Sequence, residues 1–342
     1  MKLASYSDGS RDGQLVVVSR DLRVAHFATG IATRLQQVLD DWNFLSPQLQ
    51  DLSVTLHQGK ARHAFPFEPR QCMAPLPRAY QRAGASAYLP HLERLRRAHG
   101  ATMPASATAG PLIHHGGSND FLGPCQDAWF GSADWGIDFG AALAVITGDV
   151  AMGADAAQGL DGVRLLMLAN DWSLRELVTA EQALGVGCVQ SKPAAAFGPV
   201  AVTPDELGAA WQGGRVHLTL QSAVNGRTVG LNEAGPEMHF HFGALIAHLT
   251  RTRNLRAGAI IGSGTVSNQD TGKGFGCIAE RRAVAQVEAA EPGAPATPWL
   301  AIGDTVRLEM LGRDGLSVFG AIAQRVAGPQ ADTPPEATTG PA

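Results

Sequence analysis

The chain has 342 residues, a hydrophobic fraction of 45%, a charged fraction of 17% and a formal net charge of −4. That length holds one large domain or a small and a large one, and the composition supports a buried core. The acidic balance excludes the basic footprint of a nucleic-acid binder, no apolar run reaches membrane-spanning length, and Met1 to Asp8 lack a secretory leader pattern, so a cytoplasmic protein with no membrane partner is expected. Cys72, Cys125, Cys188 and Cys277 are far apart with no C-x-x-C pair, which reads as free thiols in a reducing compartment. The 40 glycines and few aromatics predict many tight turns and an α+β, β-rich body.

The first 70 residues read as a small α/β unit. Leu15 to Ser19 and Leu22 to Phe27 are strands, Ala32 to Trp42 has helical spacing, and Pro47 to Gly59 holds a second helix. His63 to Arg78 carries Pro66, Pro69, Pro75 and Pro77, which remove backbone donors and favour extended chain. The boundary is placed there, with a larger domain over 71–329 and a disordered tail over 330–342. Arg94-Leu95-Arg96-Arg97 reads as a solvated helix face. Leu143 to Thr147 and Val163 to Leu168 are buried strands, and Ser173 with Glu176 has the capping-box form opening a helix to about Leu184. Asn225-Gly226 predicts a hairpin between Val216–Leu220 and Arg227–Val229, and Asp314-Gly315 a second between Val306–Met310 and Ser317–Phe319. Phe242 to Leu249 is helical, and Ala259-Ile260-Ile261 leads into a glycine-rich turn, Gly262-Ser263-Gly264-Thr265.

That glycine cluster lacks both the Lys-Ser/Thr of a phosphate loop and the setting of a dinucleotide site. Ser191 and Ser263 have no G-x-S-x-G frame. His114-His115 and His239-x-His241 lack neighbouring metal ligands and read as loop or surface histidines. A different set carries more: His91 after Tyr88-Leu89-Pro90, Asp171 and Arg175 in Asn170-Asp171-Trp172-Ser173-Leu174-Arg175, Lys192 in Gln190-Ser191-Lys192-Pro193, Thr265, and Glu280. Singly each has a plain structural explanation. Asp171 and Arg175 could be a local pair, and Glu280 a surface strand residue.

In this order, together with Asp134-Trp135-Gly136-Ile137-Asp138-Phe139 and Gly262-Ser263-Gly264-Thr265-Val266-Ser267, these segments resemble the landmarks of the fumarylacetoacetate hydrolase family, in a bacterial branch with a small N-terminal domain. The resemblance runs from about residue 1 to 328. It implies a mixed β-roll catalytic domain, a homodimer, and cleavage, decarboxylation or isomerisation of 2-oxo or β-diketo acids with Mg²⁺ or Mn²⁺. It places a His–Glu dyad on His91 and Glu280, which would orient and deprotonate water. It places substrate-oxygen contacts on Arg175 and Lys192, and further substrate contacts on Thr265 and Ser86, with His114 a lower-ranked addition.

The family's metal site uses four carboxylates, of which Asp171 keeps one. Gly140, Ala142 and Gly84 stand at the other three positions, and none can ligate through a side chain. Asp138, on the Gly140 face of the strand, is the nearest substitute. Asp171 facing Arg175 and Lys192 leaves about +1 before any cation, and a divalent ion would raise this to about +3. Three readings follow: a family enzyme working on a small anionic organic acid without tightly held metal, a conventional hydrolase whose Mg²⁺ or Mn²⁺ arrives with substrate, and a catalytically inactive binding protein. The carboxylate losses predict no stoichiometric Mg²⁺ or Mn²⁺ binding to the free protein. Calorimetric titration checks this, and a tight one-to-one isotherm would overturn it.

Overall fold

The computed structural model describes residues 1–185, 187–288 and 297–329, so the tail expected over 330–342 lies outside the described residues. The chain forms an α+β, sheet-rich fold. Eleven strands of the described residues make one sheet. Its order is Phe65–Pro66, Val24–Phe27, Gln14–Val18, Lys2–Tyr6, Ala201–Val202, Val163–Asn170, Ala141–Thr147, Ile260–Thr265, Arg82–Ala85 and Ile113–Gly116, with Ala196–Phe197 paired beside Val163–Asn170. The first strand joins N-terminal to later chain, with Lys2 opposite Val202 and Leu3 opposite Ala201. The central strands Ala141–Thr147 and Val163–Asn170 are apolar at nearly every position because both their faces are covered.

On one face lie Leu3, Leu15, Val17, Ala142, Ala144, Met167 and Ala169, packed against Leu35, Val38, Leu39, Leu49 and Leu56 of the helices Leu35–Asp40 and Trp42–His57. The other face meets a second sheet ordered Arg227–Glu233, Thr219–Val224, Thr305–Met310, Ile322–Ala327 and Ala128–Trp129. Asn225 and Gly226, both at positive φ (50° and 73°), make the expected two-residue turn between Thr219–Val224 and Arg227–Glu233. Among the described residues no helix is long and apolar enough to cross a membrane.

Four local expectations are corrected. Ser173 does not cap a helix: it pairs with Asp138 in a short ladder, and the helix Arg175–Ala183 starts after Leu174. Asp314-Gly315 turns the chain only into a single bridge, Leu311 to Ser317, because the edge of Thr305–Met310 is taken by Ile322–Ala327. His114 and His115 lie in the strand Ile113–Gly116, not a loop. The segment Gly262–Thr265 is not a turn either. It continues the strand Ile260–Thr265 with a bulge between Gly262 and Thr265.

Gly264 makes that bulge possible. Its φ is +76°, and an added Cβ would lie 2.0 Å from the Ala85 carbonyl oxygen. Gly303 has φ +99° with open space around it. Gly264→Ala is therefore expected to lower stability by at least about 2 kcal/mol, combining backbone strain with a clash. Gly303→Ala is expected to cost about 1 kcal/mol from φ alone. Urea unfolding midpoints measure both, and equal losses would remove the close approach to Ala85 as the cause.

Candidate active site

The main sheet ends its Val163–Asn170 strand at the Asp-Trp-Ser segment, and local packing fixes that end. Asp171 N–H donates to the Gly140 carbonyl at 2.8 Å, and Gly140 N–H donates to Asn170 Oδ1 at 2.9 Å. Trp172 is fully buried against Phe130, and its Nε1–H donates to Gln324 Oε1 at 3.1 Å. The carboxylate between these anchors points at two cations. Arg82 Nη2 donates to Asp171 Oδ1, and Lys192 Nζ donates to Asp171 Oδ2 at 2.9 Å and to Ser173 Oγ at 2.8 Å. Burial alone would raise the Asp171 carboxyl, but Lys192, Arg82 and His114 outweigh it and hold the group well below the ordinary carboxylate range. The loop presenting Lys192 is tied down by Glu181, which accepts N–H bonds from Val189, Gln190 and Ser191 and a hydroxyl bond from Ser191.

Arg82 reaches Asp171 from the strand Arg82–Ala85, which pairs antiparallel with Ile113–Gly116: Arg82 opposite Gly116, Gly84 opposite His114. Each glycine leaves room for the side chain beside it. A Cβ on Gly84 would lie 2.6 Å from the His114 ring, and one on Gly116 would lie 2.2 Å from Arg82 Nη1. Burial first, then Lys192, lowers the His114 imidazole to about 4.

On the neighbouring side stand His91, in the helix Leu89–Ala98, and Glu280, in the first turn of Ile278–Glu288. His91 Nδ1 lies 4.0 Å from Glu280 Oε1, close but beyond hydrogen-bond reach. Glu280 Oε1 instead accepts from Arg94 Nη1 at 2.8 Å and from Ser267 Oγ. The expected solvated face over Arg94–Arg97 is corrected at Arg94, which also holds the carbonyls of Asn268 and Gln269. Glu280 is wholly buried on a helix rather than exposed on a strand, and burial raises its carboxyl. Burial, followed by the charges of Arg175, Lys192 and Arg94, pushes the His91 imidazole down to about 3. His91 Nδ1 and Glu280 Oε2 are both buried without a partner among the described residues.

Asp138 is already engaged. Its oxygens accept from the N–H groups of Ile278 (2.7 Å) and Ala279 (3.1 Å) and from Arg175 Nε (2.9 Å). It fills the orphan donors at the start of the Ile278–Glu288 helix and leaves the Arg175 Nη groups without a hydrogen bond among the described residues.

A divalent Mg²⁺ or Mn²⁺ needs several oxygen ligands. Both Asp171 oxygens carry cations, Gly84 and Ala142 offer no side-chain oxygen, and a Cβ on Gly140 would already lie 2.7 Å from the Asp171 carbonyl. His91, Cys277 and Glu280 bring ligand atoms within 4.8 Å of one another. There, however, burial raises the Cys277 thiol well above its usual value, and Glu280 Oε1 is held by Arg94. The residues present do not fit a Mg²⁺ or Mn²⁺ ion.

Comparison with known proteins sets this geometry in context. The profile of the fumarylacetoacetate hydrolase C-terminal domain matches residues 83–327, and that of the fumarylacetoacetase N-terminal domain 2 matches residues 1–78. The chain belongs to the fumarylacetoacetate hydrolase family. No curated protein gives a significant match. Among solved structures, a fumarylacetoacetate hydrolase from Exiguobacterium antarcticum aligns with TM-score 0.64 at 19% identity, over 96% of this chain and 100% of its own. A maleylpyruvate hydrolase from Sphingobium sp. SYK-6, in complex with manganese(II) and pyruvate, aligns with TM-score 0.62 at 16% identity over the same shares. A 5-carboxymethyl-2-hydroxymuconate delta-isomerase from Mycobacterium smegmatis aligns with TM-score 0.60 at 15% identity, again over 96% and 100%. At these identities the likeness carries the fold.

Of the residues singled out in this fumarylacetoacetate hydrolase-family chain, Lys192 and His114 gather with Arg82 around Asp171, while His91 and Glu280 stand beside Arg94. Thr265 closes its strand next to Gly276, and Ser86 follows the Arg82–Ala85 strand; neither hydroxyl makes a hydrogen bond among the described residues. Sequence reasoning missed Arg82, Arg94, Ser267 and Glu181. The spacing of Arg82 two residues before Gly84, on one strand face, was the available signal for the first. A surface cavity of about 270 Å³ touches this region through Arg94.

The buried imidazoles make stability depend on pH. Unfolded, each takes a proton below about 6.5, whereas in the fold His91 and His114 resist protonation down to about 3 and about 4. The unfolded chain then binds more protons, so stability is full above about 6.5 and falls as pH drops, by up to about 1.4 kcal/mol per pH unit for each group. Glu280, raised by burial, acts in the opposite sense above its ordinary value. The expected result is a urea midpoint that falls from pH 7.5 to pH 5 and falls less steeply in His91→Asn. An equal slope in that variant would show that His91 is not held neutral.

Proposed function

We propose that the protein is a fumarylacetoacetate hydrolase-family enzyme acting on a small anionic acid of the 2-oxo or β-diketo type, without a tightly held metal. The reaction class is C–C cleavage or a related lyase, isomerase or cyclase step. The observation that carries this reading is the convergence of the Arg175 and Lys192 charges on a neutral, unpartnered His91. Three cations, Arg82, Arg175 and Lys192, face two carboxylates, Asp138 and Asp171, which leaves a net positive charge for an anion to neutralise. Arg175 and Lys192 hold carboxylate or enolate oxygens and stabilise the charge that develops there. His91 moves the proton. Its basicity is lowered by burial and then by the nearby cations, and a bound dianion that opposes those cations raises it in part. Glu280, fixed by Arg94 and Ser267, stands behind the imidazole and opposes the imidazolium charge. Family likeness adds a cytoplasmic homodimer to the proposal.

One observation favours a binding protein instead: Glu280 Oε1 is spent on Arg94 and Ser267 rather than on His91. Turnover of acylpyruvates and hydrogen–deuterium exchange at C3 of pyruvate, followed by NMR in chelator, separate the two. The wild type is expected to exchange or turn over in chelator. His91→Ala is expected to lose about 10²–10⁴-fold, and Lys192→Ala about 10²–10³-fold. An unchanged rate in His91→Ala would end the proton-transfer role, and silence of the wild type across the panel would favour the binding protein.

A further inference from the structure

We propose that Arg82, with His114 and the free N–H of Lys192, forms a metal-independent site for the carboxylate–carbonyl end of a 2-oxo acid, the Arg82 guanidinium standing where the family places its divalent cation. The inference rests on the oxo-acid reading above and deepens it by naming the groups that grip the ligand.

Three observations carry it. First, the family's one retained metal carboxylate, Asp171, already has a cation: Arg82 Nη2 binds Oδ1 while Lys192 binds Oδ2. The charge that a metal would bring to Asp171 is built into the chain. Second, donors are left over. The Arg82 side chain is only 5% exposed, yet its Nη1 has no partner among the described residues. The same holds for His114 Nε2. Lys192 spends two of its three N–H groups on Asp171 and Ser173. A buried donor without a partner is costly, and each one needs an explanation such as a ligand that fills it. Third, the strand pair is shaped for these two side chains. Arg82 lies over Gly116 and His114 over Gly84, on one face of the ladder, and a Cβ on either glycine would collide with them.

The chemistry of the leftover donors selects the ligand. A guanidinium edge matches a planar carboxylate. A neutral imidazole can donate one N–H to a carbonyl oxygen, and an ammonium covers the charge between them. Vicinal carboxylate and carbonyl oxygens offer an acceptor for each of these donors. A simple monocarboxylate would leave one donor unfilled. His114 and Lys192 are the partly exposed members and form the approach.

The test is calorimetric titration of oxalate, a planar 2-oxo acid enolate mimic, into the full chain in EDTA and again with excess Mn²⁺. Oxalate is expected to bind in EDTA, with Mn²⁺ changing affinity by less than about threefold. Arg82→Met is expected to weaken binding at least about tenfold, in line with loss of a charge-assisted hydrogen bond. That variant also strips Asp171 of a partner and can unfold the chain. Arg82→Lys keeps the charge but loses the fork, and His114→Ala leaves Asp171 untouched, so each is expected to weaken oxalate about three- to tenfold in a protein whose melting temperature confirms its fold. Oxalate binding that requires Mn²⁺, an unchanged affinity in folded Arg82→Lys and His114→Ala, or no oxalate binding under either condition overturns the inference. The two readings fail separately: turnover dependent on His91 with Mn²⁺-dependent oxalate binding sinks only the Arg82 site, whereas Arg82-dependent binding without turnover sinks only the catalytic reading.

Discussion

A carboxylate taken out of water needs its lone pairs filled and its charge opposed, and Asp171 meets both needs through Arg82 and Lys192. These partners come from separate parts of the chain. Arg82 belongs to a strand on the far side of Ile260–Thr265 from the Ala141–Thr147 strand, and Lys192 follows a loop that Glu181 pins by three N–H bonds. Removing either cation leaves a buried charge half compensated, a change that typically costs about 3–5 kcal/mol. The triad therefore fixes the relative position of the sheet edge, the end of the Val163–Asn170 strand and the Lys192 loop.

A second carboxylate does the corresponding work one strand away. Asp138 closes the start of the Ile278–Glu288 helix and holds Arg175 by Nε, so the helix that carries Glu280 is keyed to the same sheet end as Asp171. This explains why Asp138, plausible from sequence as a substitute ligand, is spent on structure: two backbone N–H groups and a guanidinium occupy its oxygens. Asp138, Asp171 and Glu280 each belong to an arginine pair, and among the described residues the buried unpartnered polar atoms near them are Arg82 Nη1, His91 Nδ1, His114 Nε2 and Glu280 Oε2.

Much of the fold was legible because it is written in local patterns. The buried strands from Ala141 and Val163, the Asn225-Gly226 turn and the helix from Phe242 follow from residue type and spacing. The order of the motifs around His91, Asp171, Lys192 and Glu280 indicated the family. What could not be read depends on contacts between distant residues. Arg82 meets Asp171 across 89 positions and Arg94 meets Glu280 across 186, and neither arginine differs locally from a solvated one. Likewise the strand character of Gly262–Thr265 comes from pairing with Arg82–Ala85 and Ala141–Thr147, with Gly264 leaving room for the Ala85 carbonyl. Ser173 looks like a cap because its neighbours fit the pattern, but Asp138 across the ladder claims it for a strand.

The presence of Arg82 on Asp171, with no side-chain oxygen at Gly84, Gly140 or Ala142, also bears on which reactions the site can serve. A guanidinium opposes negative charge and donates hydrogen bonds, but it cannot accept a lone pair into a coordination shell or make a bound water acidic. Steps limited by stabilising an enolate, such as proton shifts and decarboxylations, need only the former. Cleavage by an activated water needs a base, and His91 is a poor one because burial first, and then the charges of Arg175, Lys192 and Arg94, depress it. A bound anion opposes only the charge part of that depression and leaves the burial part in place, so in the proposed reaction ligand charge and His91 basicity would be linked in part. On that reading charge would select the ligand before shape does, since a neutral molecule would leave the Arg82 and Lys192 donors unopposed.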